Sequence, residues 1–304
     1  MADRPNIDLI VPRYVEITPF YQAADQMGFH ALWLTETLFS HALGWAISGR
    51  PDNSDALPAA AAATSRIRLG TAQTGSPSTP ISSIAAELAN LDRLSSGRMI
   101  LGISLGQWPD EAGREPRRPR VGVRLMETIT VLKRLWSEDE VSFNGSHINL
   151  DKASIDVRPV QDGGIPVLVA GVTSASVNQA ATLADGWVHP SEGIPEGVAR
   201  GCDMVRRLAA QAGRDPDSLV LGKIIYISID NNRFRPRERI APLLQSFYNG
   251  YDVDNWCAFG KPAECAAFIQ SFLDVGINTV MLCLVPADVE HLELLHREVL
   301  PLLK

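Results

Sequence analysis

The sequence lacks the features that mark several large classes of protein. Its 304 residues contain only four cysteines, and none forms a C-x-x-C pair or a spacing typical of a metal site. We therefore predict four reduced thiols in a cytoplasmic protein, without a disulfide framework or a zinc site. No apolar stretch is long enough to span a bilayer. The first residues, MADRPNIDLIVPRY, carry charges where a secretory signal has its apolar core, so we expect no signal peptide.

Positive charge is also scarce. The chain has 28 Lys and Arg against 35 Asp and Glu, a net charge of -7, which argues against a nucleic acid or an anionic membrane as partner. The glycine-containing run GISLG lacks the spacing and the Lys-Ser/Thr pair of a nucleotide-binding phosphate loop. The residues also form no Ser-His-Asp set and no metal cluster, so we expect neither hydrolase chemistry of that kind nor a metal.

The stretch from residue 66 to residue 108 contains a strand, a helix and a second strand. Residues 67–73 are short, apolar and β-compatible. The helix that follows has apolar positions three and four residues apart, at Ile81, Ile84, Ala85, Leu88, Leu91 and Leu94. Gly97 is suited to the residue after its end, and residues 99–105 form the second strand. Such β-α-β units build parallel sheets, whose chemistry lies beyond the carboxyl ends of the strands.

The same alternation continues along the whole chain. Strands are predicted over 6–11, 30–35, 67–73, 99–105, 165–170, 185–189, 219–229 and 277–284. Helices are predicted over 17–27, 55–64, 79–94, 121–136, 195–212, 234–248, 262–275 and 286–303, and a turn followed by a helix over 171–183. A small hairpin is predicted within 141–160 around Asn144-Gly145. Eight strands alternating with helices, without a linker composition, predict a single domain over residues 1–304, a (β/α)8 TIM barrel with insertions.

The run LANLDRLSSGRMILGISLG resembles the signature of the bacterial-luciferase-like superfamily of flavin-dependent oxidoreductases. MGFHALWLTE before it, RLMETITVLKRLW after it and the closing VLPLL are also similar to family positions. The resemblance implies a luciferase-like TIM barrel, a small organic substrate and, often, a homodimer. Two activities remain open: monooxygenation by reduced FMN and O2, with a flavin reductase as partner, or hydride transfer with coenzyme F420, as in methylenetetrahydromethanopterin reductase. A flavin-binding protein of the same fold without turnover is the alternative to an enzyme.

Small residues between a buried strand and a helix form the best candidate for anion binding: Ala170, Gly171, Val172, Thr173 and Ser174. Thr173 or Ser174 can cap the helix, whose free N–H groups attract an anion, although an ordinary helix start has the same pattern. The resemblance implies that the flavin phosphate binds here and near Ser191, in the turn after the next strand. The ring is expected at the ends of the second to fourth strands, against Thr35, Ala72, Gln73 and Gly106.

Three residues are predicted to be catalytic: His189, Glu36 and Gln107. His189 ends its strand, and an unperturbed histidine titrates near neutrality; a packed rim histidine is the alternative. Gln107 follows the fourth strand. Glu36 stands where many family members carry an acid followed by a catalytic histidine, but Thr37 replaces that histidine here. This departure argues against the sugar-phosphate dehydrogenase mechanism, in which the histidine is the base.

Four arginines lie close together after the fourth strand, at Arg114, Arg117, Arg118 and Arg120. They are typical of a solvated loop, or of a site for the anionic tail of a deazaflavin or for an acidic substrate. The oligoglutamate tail of F420 needs such cations and FMN does not, so the cluster favours F420.

Overall fold

The computed structural model describes residues 5–11, 17–35, 53–73, 80–104, 118–231, 234–247 and 250–304. The strands in these ranges are β1 (Asn6–Val11), β2 (Ala31–Thr35), β3 (Arg68–Gln73), β4 (Met99–Ser104), β5 (Val141–Asn144), β6 (Asn149–Ala153), β7 (Val167–Ala170), β8 (Gly186–His189), β9 (Val220–Ile229), β10 (Cys257–Gly260) and β11 (Thr279–Leu284). The helices are α1 (Ile17–Met27), α2 (Asn53–Ala63), α3 (Ile81–Leu94), α4 (Arg118–Ser137), α5 (Ser174–Thr182), α6 (Pro195–Gln211), α7 (Phe234–Phe247), α8 (Val253–Trp256), α9 (Pro262–Leu273) and α10 (Val289–Leu294).

The strand order defines the fold class. Hydrogen-bonded neighbours run β10-β9-β11-β1-β2-β3-β4-β7-β8, and β9 also pairs with β8. The fold is therefore a (β/α)8 barrel, as predicted, built from β1, β2, β3, β4, β7, β8, β9 and β11. No helix in the described ranges is long and apolar enough to cross a membrane.

Contacts divide the chain into two compact units. The first comprises Met1–Gly70, Val188–Asp203 and Val220–Lys304, and the second comprises Thr71–Trp187 and Met204–Leu219. The expectation of one domain over residues 1–304 stays a prediction.

The first unit is built on parallel strands that are apolar along their length. Leu9 of β1 lies opposite Leu32 of β2 on one side and Leu282 of β11 on the other, and all three side chains are fully buried. Strands covered on both faces need such continuous apolar runs, which explains why the sequence reads as unbroken hydrophobic segments here.

The second unit contains the parallel pair β4–β7 and the antiparallel pair β5–β6. The latter is the predicted hairpin, and a side chain of α4 holds its turn. The Glu127 carboxylate accepts hydrogen bonds from the backbone N–H groups of Ser146, His147 and Ile148, at 2.6, 2.8 and 2.9 Å. Gly145 has no room for a side chain, because a Cβ there would come within 2.6 Å of that carboxylate.

Two buried carboxylates anchor the chain where strands begin. Asp25 of α1 accepts N–H bonds from Ser65, Arg66 and Ile67, the residues that lead into β3. In the second unit the fully buried Asp92 of α3 accepts N–H bonds from Met99, the first residue of β4, at 3.3 Å and from Val160 at 2.8 Å. Each carboxylate thus satisfies several backbone donors that would otherwise be buried without a partner.

The sequence prediction was wrong at several elements, and it missed the short helix α8 and a 3-10 turn at Pro216–Ser218. It missed β10, a parallel strand beside Tyr226–Ile229 of β9. It also predicted a single helix over residues 286–303. There the structure has α10, capped by Asp288, then a π-helical turn (Leu295–Val299) and a 3-10 turn (Leu300–Leu302). Pro301 has no N–H to donate, so a regular α-helix does not continue through it.

Candidate functional site

The turn between β7 and α5 has a defined backbone conformation. Gly171 adopts a φ of +136°, and a Cβ there would lie 2.8 Å from Oγ of Ser176, so both conformation and space require glycine. Thr173 caps the helix: its Oγ1 accepts the Ser176 N–H at 3.1 Å. Of the two capping residues that the sequence left open, the structure uses Thr173.

The start of α5 is open to solvent. The first intrahelical bond of α5 runs from the N–H of Val177 to the carbonyl of Thr173 at 3.0 Å, so the N–H groups of Ser174 and Ala175 precede the helix ladder. The Val172 side chain is 60% exposed, and Thr173 and Ser174 are also exposed. The Trp187 indole N–H donates a hydrogen bond to the Gly171 carbonyl at 2.7 Å. The result is a fixed turn with the positive end of a helix facing outward, which suits an anion.

The turn after β8 begins with His189, whose side chain is buried. Its Nδ1 lies 2.9 Å from the Pro190 carbonyl oxygen, which can only accept, so neutral His189 carries its proton on Nδ1. Gly193, with a φ of +100°, lies against the ring, and a Cβ there would be 3.0 Å from Cε1. Burial lowers the pKa of His189 to about 4, and the positive charge of Lys223 acts in the same direction. His189 is therefore neutral at pH 7, and it is a poorer proton acceptor there than the ordinary histidine that the sequence suggested.

Sequence reasoning missed Lys223, a side chain of β9 with no solvent exposure. Its Nζ donates to the carbonyl of Pro190, to that of Ser191 at 2.8 Å and to that of Glu192 at 3.1 Å. The ring centroid of Phe272 lies 5.3 Å from Nζ. Burial lowers the pKa of Lys223 to about 7, opposed by the negative charge of Glu192. The one available signal was a single lysine inside the apolar run LVLGKIIYISI.

A second buried histidine has a different role. Nε2 of His291, on α10, accepts the backbone N–H of Ile229 at 3.0 Å, and its backbone N–H binds the Asp288 carboxylate at 2.8 Å. Burial lowers the pKa of His291 to about 4. This histidine joins α10 to β9, and it also carries its neutral proton on Nδ1.

The other predicted site residues are described in part. Thr35, Ala72 and Gln73 end β2 and β3, as expected, and only their backbone is described. Ser191 is buried in the turn after His189. Glu36, Gly106, Gln107, Arg114 and Arg117 lie outside the described residues, as do the side chains of Arg118 and Arg120. The structure thus brings together residues 170–174 in one turn, and His189 with Ser191 in another.

Comparison with known proteins identifies the class to which this barrel belongs. It is an oxidoreductase barrel, and residues 4–278 match the family described as luciferase-like monooxygenase. The chain belongs to the luciferase-like monooxygenase family, which confirms the resemblance seen in the sequence.

Several relatives match most of this chain. An F420-dependent glucose-6-phosphate dehydrogenase of Kineococcus radiotolerans is 27% identical over 296 residues, covering 86% of this chain and 85% of that protein. Among solved structures, an F420-dependent secondary alcohol dehydrogenase in complex with an F420-acetone adduct has a TM-score of 0.83 at 19% identity, covering 99% of this chain and 100% of that chain. The long-chain alkane monooxygenase LadA has a TM-score of 0.81 at 16% identity, with 99% and 91% covered. The chain is therefore an oxidoreductase of this fold that acts on small molecules.

Proposed function

We propose that the protein transfers a hydride between coenzyme F420 and a small organic substrate, without O2. The observation that carries this proposal is its likeness, over 86% of the chain, to an F420-dependent dehydrogenase. When bound, F420 supplies a ring carbon that gives or takes the hydride, and the protein supplies position, electrostatics and shelter from water.

The start of α5 supports this choice of cofactor. Residues 170–176 contain no lysine or arginine, so within this turn an anion meets only N–H groups, hydroxyls and the helix dipole. F420 carries its phosphate as a diester with one negative charge, whereas the phosphate monoester of FMN has close to two at neutral pH. A neutral turn matches the single charge better. Gly171 lets the phosphate approach the backbone, and Thr173 holds the first turn of α5 in place.

The remaining assignments stay predictions. We propose that His189 hydrogen-bonds the substrate or cofactor as a neutral ring, that Glu36 acts in proton transfer, and that Gln107 orients the reacting group through hydrogen bonds of its side-chain amide. Ser191, Thr35, Ala72, Gln73 and Gly106 are proposed to contact the cofactor. Because Thr37 replaces the histidine of the sugar-phosphate dehydrogenase mechanism, we propose a substrate other than a sugar phosphate.

The test is a fluorescence titration of the purified protein with F420 and with FMN, together with mass identification of any cofactor that co-purifies. Tight F420 binding and weak FMN binding are expected. Gly171→Ala is expected to weaken F420 binding at least tenfold. Gly213→Ala is the matched control, because this glycine also has a positive φ, +73°, but a Cβ there meets nothing within 4 Å.

Two results would overturn the proposal. Tight FMN binding with weak F420 binding would redirect the search to oxygen-consuming assays with a flavin reductase as partner. If neither cofactor binds, the proposed hydride transfer with F420 fails.

The setting of the enzyme is also proposed. We propose a cytoplasmic homodimer formed by one domain over residues 1–304. The four cysteines are buried and form no disulfide, which is compatible with a reducing compartment. Light scattering of the purified protein tests the dimer.

A further inference from the structure

We propose that Lys223 is a positioning residue of the site: by holding the Pro190 carbonyl it fixes the orientation and the tautomer of His189. With the proton of the neutral ring on Nδ1, the lone pair of His189 lies on Nε2, which accepts a hydrogen bond and does not donate one. The role in the reaction rests on the proposed function, but the positioning itself does not.

The first step of the argument is the match between donors and acceptors at Lys223. An ammonium group has three N–H donors and no acceptor. Nζ of Lys223 meets the carbonyls of three consecutive residues, Pro190, Ser191 and Glu192. All three donors are used and the side chain has no solvent exposure, so this contact fixes the path of the turn directly after His189.

The second step is that one carbonyl serves both side chains. The oxygen of Pro190 accepts from Nζ of Lys223 and from Nδ1 of His189, the latter at 2.9 Å. A carbonyl oxygen has two lone pairs and can serve both donors. Because Lys223 sets the plane of this peptide, it also sets where Nδ1–H of His189 must point.

The third step concerns the ring itself. The imidazole of His189 packs directly against Gly193. A Cβ at residue 193 would lie 3.0 Å from Cε1 and 3.5 Å from Nε2 of that ring. His189 is 8% exposed, so neighbouring atoms hold the ring on most sides. With its proton committed to Nδ1, neutral His189 accepts at Nε2 and does not donate there.

The experiment measures the tautomer by NMR, using long-range proton–nitrogen correlations of the cofactor-free full chain at pH 6, where Lys223 (pKa about 7) is an ammonium and His189 (pKa about 4) is neutral. His189 is assigned with His189→Gln. The wild type is expected to show the Nδ1–H pattern at His189. It is also expected to show that pattern at His291, where the N–H of Ile229 binds Nε2. In Lys223→Met, the Nε2–H pattern of His189 is expected to become the major one while His291 keeps its pattern, which shows that the fold is intact.

Lys133→Met is the matched control, because Lys133 pairs with Asp185 at 2.9 Å on a part-exposed surface; neither histidine is expected to change. The proposal is overturned if His189 of Lys223→Met keeps the Nδ1–H pattern beside an unchanged His291. An Nε2–H or imidazolium pattern at His189 in the wild type also overturns it.

A measurement on the wild type covers the case in which Lys223→Met does not fold. The three Nζ protons of Lys223 are expected to exchange with water at least tenfold more slowly than those of Lys133. Exchange as fast as at Lys133 would mean that the bonds to the three carbonyls do not persist, and the proposal would fail. All these measurements omit the cofactor, so a failure of F420 binding overturns the proposed function and leaves this inference standing.

Discussion

The turn after β7 and the turn after β8 are shaped by opposite means. In the first, the cap joins Thr173 to Ser176, three positions apart, and the exposed residues face solvent. In the second, the ammonium that holds Pro190 comes from Lys223, 33 positions away, and it is fully buried. A local cap gives a turn that forms with its helix, whereas the second turn forms only once β9 lies beside it. Substitutions should therefore lower the free energy of unfolding less at the first turn than at the second.

The largest effect is expected from Lys223→Met. Methionine keeps the length of the side chain but removes the donor of the Ser191 and Glu192 carbonyls, each loss costing about 1–3 kcal/mol, while the Pro190 carbonyl keeps at most Nδ1–H of His189. We expect the free energy of unfolding to fall by about 3–5 kcal/mol, measured by urea denaturation. Lys133→Met, which removes a part-exposed ion pair, should cost less than about 1 kcal/mol. Equal losses in the two variants would remove the contrast between the turns.

The next effect is a dependence of stability on pH. The pKa of His189 is about 4 in the folded protein and about 6.5 in the unfolded chain. The unfolded state therefore binds more protons between these values, so the stabilisation is complete above pH 6.5 and is lost as the pH falls towards 4. The wild type should lose about 2–3 kcal/mol more than His189→Gln between pH 7 and pH 4.

Urea denaturation at several pH values measures this difference between the wild type and His189→Gln. His296→Gln is the control, because that histidine is exposed and its variant should follow the wild type. Parallel curves for the wild type and His189→Gln would contradict the prediction.

Gly171→Ala tests how tightly the first turn, the one after β7, is packed. Alanine would have to adopt a φ of +136°, and its Cβ would meet Oγ of Ser176 at 2.8 Å, so we expect a cost of about 1–3 kcal/mol in unfolding free energy. Gly213→Ala has a strained φ but free space and should cost about 1 kcal/mol. The two are compared by thermal or urea unfolding; a smaller loss for Gly171→Ala would show that the turn can open to admit a side chain.

The smallest effect is expected from Thr173→Val, which removes only the capping hydroxyl of α5. Loss of a side-chain cap costs about 1 kcal/mol. Thr182→Val on the same helix removes a hydroxyl that binds the Asn178 carbonyl at 2.8 Å, and it should cost less than about 0.5 kcal/mol. Urea denaturation that ranks the two variants in reverse order would show that the hydroxyl of Thr173 is not the cap in solution.

Features that depend on neighbours in sequence were predicted well. The bounds of β1 and α1 are those expected from local periodicity, and Thr173 was one of the two expected caps. β10 was missed because Cys257–Gly260 is four residues long, and its partner strand β9 is distant in the chain. Lys223 was missed for the same reason, since nothing within β9 indicates the three carbonyls that it meets. The hairpin was found from Asn144-Gly145, but not the carboxylate of Glu127 that holds it.

The carboxylates of Asp25 and Asp92 have a consequence for how such an enzyme can change over generations. Each holds the start of a strand in its unit mainly through hydrogen bonds from backbone N–H groups. The loops that select a substrate follow the opposite ends of the strands. Insertions and replacements in those loops leave both anchors untouched. The barrel can therefore be retained in evolution while its substrate changes, which is how one fold supports many reactions.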